Sequence, residues 1–183
     1  GIYRVGADTL GLAAGGVKIA EIRSDGVSGF IRTATAVTAS GTAIDFTSIP
    51  SWVKRITVMF SGVSTSGTSP IQIQIGSGSM AITGYSSILA NVTGAAAAAT
   101  TYTSGFICAN NISAATTSKG SVIIANIASN SWVCQGVLYS RADTAGMSAG
   151  DVTLSGALDR VRVTTVNGTD TFDAGTINIL YEG

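Results

Sequence analysis

Strict alternation of apolar and polar residues dominates this chain. Ile71-Gln72-Ile73-Gln74-Ile75 alternates without a break, which predicts a strand with one buried face and one wet face. Residues 55–60 set Ile56, Val58 and Phe60 on one side, and residues 160–164 do the same with Val161 and Val163. Residues 175–181 read as a final strand. Further strands are predicted at 29–37, 42–46, 81–89, 103–108, 120–128, 132–139 and 151–155. Apolar residues do not recur at helical spacing, and Gly, Thr, Ser and Val weaken helices throughout. The alanines of 95–101 favour a helix, but Gly94 and the flanking threonines make that segment a loop or a short turn.

Turn signals fall between the strands. Asn167-Gly168 predicts a tight turn leading from strand 160–166 to the last strand. Asp25-Gly26, Ser66-Gly67, residues 76–78 and Ala149-Gly150 mark other reversals. Pro50 and Pro70 are each expected to stand immediately before a strand, where a missing amide donor does least harm. Many short strands with regular turns predict an all-β fold, an antiparallel β-sandwich of jelly-roll type.

Residues 1–30 stand apart from this pattern. They hold no initiator Met and no signal peptide, and read as a continuation rather than a beginning. Short glycine-punctuated strands, such as Gly1-Ile2-Tyr3-Arg4-Val5-Gly6, cannot bury a core of their own. They are expected to pack on copies of themselves, as the end of a fibrous shaft does. The predicted division is a shaft-end module at 1–28 and a β-sandwich head at 29–183.

Composition sharpens this picture. Only 11% of the 183 residues are charged, against 45% hydrophobic, with 23 Gly. A soluble monomer normally carries about 25–35% charge at its surface, so the chain suits a large, stable assembly outside cells. Net charge is zero, and of the 10 Lys and Arg only Lys54 and Arg55 are adjacent. Nucleic-acid binding, which needs clustered cations, is not expected. No apolar run approaches the roughly 20 residues that cross a bilayer, so no membrane insertion is expected.

Candidate chemistry is sparse. There is no histidine, which removes the commonest general base and metal ligand. Asp143 with Asp151, and Asp170 with Asp173, are expected to flank loops, where acidic residues cap turns more often than they form catalytic pairs. Asn167, Thr169, Asp170 and Asp173 offer oxygens to a cation, but a turn explains them better than a calcium loop. The Gly/Ser/Thr stretches 76–79, 94–101 and 116–120 lack the Lys and helix start of a phosphate loop and read as surface loops. No enzyme activity, metal or cofactor is expected. Cys108 and Cys134 lie in apolar segments and read as buried thiols or as a disulfide; two cysteines are no disulfide framework, which favours thiols unless their strands are neighbours. Trp52 and Trp132 are expected to pack in the core or between subunits. Tyr85, Tyr102 and Tyr139, with Asn110, Asn111 and Arg141 close in sequence, are the candidate receptor-contact residues.

Two parts of the chain resemble a known family. Tyr3-Arg4-Val5-Gly6, Thr9-Leu10-Gly11-Leu12 and Ser24-Asp25-Gly26-Val27 are similar to the shaft-end repeats of bacteriophage tail fibres and tailspikes. Ile49-Pro50-Ser51-Trp52-Val53-Lys54-Arg55-Ile56, continuing to Phe60, resembles a C-terminal module common in phage and prophage virion proteins. So do Leu158-Asp159-Arg160-Val161-Arg162 and the run from Val166 to Gly175. Residues 77–130 resemble no named family. The resemblance implies a homotrimeric distal tail-fibre domain of the virion, assembled in the host cytoplasm and acting outside. It would attach to a bacterial surface glycan or protein, and no catalytic motif is carried over. The alternative is a structural trimerisation cap or capsid fibre tip that recognises nothing. A depolymerase is disfavoured.

Overall fold

The computed structural model describes residues 1–183 apart from 7–8, 15–16, 24–25, 28–30, 95, 111–112 and 142–143, and gives only the backbone at 5–6, 9, 17–23, 26–27 and 141. Strands are numbered in chain order. β1 (Ile2–Gly6), β2 (Thr9–Ala14), β3 (Val17–Arg23) and β4 (Gly26–Val27) follow one another as a four-stranded antiparallel sheet. A five-stranded sheet contains β7 (Ala43–Thr47), β9 (Ile71–Ser77), β10 (Ser79–Met80), β13 (Phe106–Ala109) and β17 (Arg160–Thr165). Its order is β10-β9-β17-β7, with β13 also paired to β9.

The third sheet has nine strands. From one edge to the other these are β12 (Ala96–Tyr102), β11 (Ser86–Thr93), β16 (Thr144–Thr153), β15 (Ser131–Arg141), β14 (Ser118–Ala128), β8 (Arg55–Thr65), β18 (Phe172–Glu182) and β5 (Ile31–Thr33). The short β6 (Val37–Thr38) also pairs with β18. Among the described residues there is no helix, all pairings are antiparallel, and no sheet closes into a barrel.

Alternation builds the core. Ile56, Val58 and Phe60 of β8, Val122 and Ile124 of β14, and Ile177 and Ile179 of β18 project from one face of the nine-stranded sheet. Ile71, Ile73 and Ile75 of β9 with Val161 and Val163 of β17 project from the five-stranded sheet into the same cluster. Successive strand residues point to opposite faces, so one register places each whole set inside. Burying each such side chain contributes about 1.5–3 kcal/mol. The layout is compatible with a β-sandwich. Trp132 lies in this core, while half-buried Trp52 packs on it with its ring 5.9 Å from that of Tyr181. Among the described residues no strand pairing joins the first sheet to the other two, and the expected boundary at 28–30 falls outside those residues.

Several elements differ from the sequence expectation. Residues 96–102 are not a loop: β12 pairs with β11 from Ala96 to Tyr102, so the neighbouring strand supplies hydrogen bonds that Ala and Thr would not secure alone. Ala149-Gly150 is no reversal but the middle of β16, and Asp151 is a strand residue rather than a loop residue. The segment 29–37 is not one strand: β5 and β6 are separate, with Ala34 N donating to Ile179 O between them. Pro50 stands before a turn closed by Val53 N, not directly before β8. The strand expected at 81–89 lies later, at Ser86–Thr93, and β14 begins inside the loop expected at 116–120.

Candidate functional site

The clearest departure from the sequence expectation lies on β9. Gln72 and Gln74 occupy the outward face of their sheet, yet they are only 2% and 6% exposed. Ser104 and Gly105 lie against them. Gln72 Oε1 accepts from Ser104 Oγ at 2.8 Å, and Gln74 Nε2 donates to Ser104 O at 2.9 Å. Gln72 Nε2 also donates to Thr165 O at 3.4 Å. A buried amide without partners would cost free energy; these partners hold both amides in fixed orientations.

Register extends the polar row across the sheet. Gln74 lies opposite Arg162 of β17, which lies opposite Asp45 of β7; Gln72 lies opposite Thr164. Arg162 makes a two-pronged pair with Asp45, Nε to Oδ1 at 2.7 Å and Nη2 to Oδ2 at 2.8 Å. The guanidinium holds the Asp45 carboxyl below its usual range. Thr164 Oγ1 donates to Thr42 O at 2.8 Å. Gln72, Gln74, Ser104, Arg162 and Thr164 line a groove of about 320 Å³, with the Asn167-Gly168 turn and exposed Ile82 at its margin. Gln74 Oε1 and Arg162 Nη1 take no hydrogen bond among the described residues. The groove thus offers a fixed acceptor, a fixed cationic donor and hydroxyls beside an apolar lip, a set suited to a neutral polyhydroxyl ligand.

The turn itself is as expected. Gly168 takes φ +68°, and its N donates to Thr165 O. Asn167 Oδ1 accepts from the amides of Thr169 and Asp170, and Asp170 Oδ2 accepts from Ser69 N at 2.9 Å. The hydrogen bond from Asn167, followed by that from Ser69, lowers the Asp170 pKa. These oxygens serve the turn. Ser64 Oγ donates to Asp173. Among the described residues no three His, Cys, Asp or Glu side chains gather as a metal-ligating group.

The sequence candidates scatter. Tyr85 is in the core, 3% exposed, with its ring edge-on to Phe106 at 4.9 Å; burial pushes its hydroxyl up to about 12. Its hydroxyl is engaged by the Ile75 backbone. Tyr102 is half-buried opposite Ser87, whose Oγ accepts from Ile107 N inside the fold. Tyr85 and Tyr102 line one groove of about 560 Å³ with Ser86, Thr101, Thr103 and Asp151. Tyr139 lies elsewhere, exposed on β15, with Lys119 Nζ 5.3 Å from its ring centre. Asn110 is half-buried after β13. Asn111 and the Arg141 side chain lie outside the described residues; the Arg141 backbone pairs with Thr144. The polar groove went unread in the sequence because Ile-Gln alternation looks the same whether the glutamines meet water or a covering loop.

Cys108 and Cys134 are free, buried thiols. They share the core; burial raises the Cys108 pKa, and charge repulsion from Cys134 raises it further. Their strands, β13 and β15, belong to different sheets and do not pair. No protein-family model, curated protein or solved structure matches the chain.

Proposed function

We propose that this chain is the tip of a bacteriophage tail fibre or tailspike, a non-enzymatic module that attaches the virion to a glycan on the bacterial surface. The observation that carries this reading is the polar groove of Gln72, Gln74, Arg162 and Thr164, whose side chains are held by Ser104, Asp45 and Thr42 before any ligand arrives. Preorganised groups lose little entropy on binding. In this reading the two larger sheets are a jelly-roll-like head, the first four strands end a shaft, and three chains form the fibre. One shallow groove binds weakly; three per fibre and several fibres per particle multiply that into firm attachment.

The test is binding of the protein to host cells and to an array of bacterial surface glycans. The wild-type protein should bind, and Gln74→Ala with Arg162→Ala should weaken binding at least tenfold while the fold persists. Absence of binding to every glycan of a susceptible host would sink the reading. A second reading, a trimerisation cap without a receptor, is favoured by the apolar outer face of the nine-stranded sheet, where Val137 is 56% and Met147 51% exposed.

A further inference from the structure

The two larger sheets have unlike outward faces. That of the five-stranded sheet is polar. On the nine-stranded sheet, Ala99, Ala90, Met147, Val137 and Ser121 stand side by side on β12, β11, β16, β15 and β14. The row on one side brings Ile88 and Ala149 together with polar Thr101 and Gln135, and the row on the other Val92 and Tyr139. Ile88, Val92 and Tyr139 are each at least 40% exposed. A shallow groove of about 550 Å³ runs beside Val137 and Met147. A solitary apolar side chain at a surface is ordinary, but a contiguous apolar set across β12, β11, β16 and β15, with Ser121 of β14 at its edge, marks a contact face.

We infer that this face packs against a second copy of the chain. Charge is the first argument. Identical copies bring identical charges, so a face that meets itself must have none at its centre. The Met147–Val137 row has none; Lys119 closes the patch beside Tyr139 at one end, and Asp151 closes it beyond Ala149 at the other. An antiparallel approach sets the Lys119 end of one copy towards the Asp151 end of the other. No hydrogen bond or ion pair among the described residues engages the Asp151 carboxylate.

Area is the second argument. Five strands about 4.8 Å apart and three rows about 6.8 Å apart cover about 500 Å² per copy. Two copies would bury about 1,000 Å², the level at which a specific interface begins. The small side chains of Ala90, Ala99 and Ala149 between larger ones leave the surface shallow enough for close approach.

The inference rests on the proposed function but adds to its threefold fibre a two-fold contact between heads, and does not involve the glycan groove. Its test is solution mass over a concentration series, by light scattering and sedimentation, for four proteins. They are the wild type, Val137→Asp with Met147→Lys, the milder Val137→Thr with Met147→Thr, and Ile2→Asp in the first sheet. Circular dichroism checks that each is folded; Thr keeps strand propensity if the charged pair misfolds. The wild type and Ile2→Asp should form even multiples of the 18.3 kDa chain, and both patch variants should fall to, or dissociate more readily towards, half that mass. A multimer unchanged in both patch variants overturns this face as the interface while leaving the oligomeric reading standing. A wild type that stays monomeric throughout overturns both.

Discussion

The Tyr85 hydroxyl binds Ile75 twice, accepting from its N–H at 2.8 Å and donating to its carbonyl at 3.2 Å. Along that edge of β9, Phe106 of β13 pairs with Ile73 and Met80 of β10 pairs with Gly76. Ile75 falls in the gap between the two partner strands, and the hydroxyl helps to fill it. Tyr85→Phe keeps the ring against Phe106 but leaves the buried Ile75 amide without its acceptor. It should cost about 1–3 kcal/mol, read as a lower urea midpoint. An unchanged midpoint would mean that water replaces the hydroxyl.

Acid should weaken the outer face of the five-stranded sheet. The hydrogen bonds from Arg162 lower the Asp45 pKa below 3.8, so the carboxylate is favoured in the folded state. The contribution is present above that ordinary value and is lost as pH falls through the lowered one. Both side chains are more than a third exposed, so solvent screening keeps it modest. The thermal midpoint should fall as pH drops below 3.8, and Asp45→Asn should fall less steeply over that window. Asp159 and Asp170 also have lowered pKa values, so some acid dependence should remain in the variant.

The thiols predict the opposite limb. Burial pushes Cys134 up to about 12 and raises Cys108 well above 9.0. Stability from keeping them neutral is complete below 9.0, the ordinary thiol value, and is lost as pH rises towards the folded values. At pH near 8, iodoacetamide should leave both thiols intact in the folded protein and modify both in denaturant, because only the thiolate reacts. Mass spectrometry reads the outcome; a native mass lacking two hydrogens would reveal a disulfide and refute the assignment.

Gly175 should resist replacement. It takes φ +90° at an irregularity in the β18–β8 pairing, and an added Cβ would sit 2.5 Å from the Gly62 carbonyl carbon. Gly175→Ala should destabilise by about 1–3 kcal/mol from backbone strain, with the clash adding to it. A thermal midpoint equal to that of the wild type would contradict this.

Much of the framework was legible in the chain. Ile56, Val58 and Phe60, and Val161 and Val163, face the core as their alternation indicates, and Asn167-Gly168 turns where its chemistry requires. Strand ends were less legible. β12 carries Ala and Thr, whose local preferences do not specify a strand, and Ala149-Gly150 looks like a turn until strands on both sides hold it extended. Tyr85 was hard to read for a similar reason: a Tyr before a strand can expose its ring, or bury it and bond its hydroxyl, as Tyr85 does.

What the sequence determined by itself is the periodicity: an all-β, antiparallel chain without histidine or clustered charge, with a strand-rich start. Period-two alternation survives in the sequence because each strand has only two faces. What the tertiary structure decided is what covers each face. Ser104 and Gly105 lie over Gln72 and Gln74, which alternation had assigned to water, while Val137 and Met147 on the other large sheet stay open. Covering depends on contacts between residues far apart in the chain, and no local pattern encodes them.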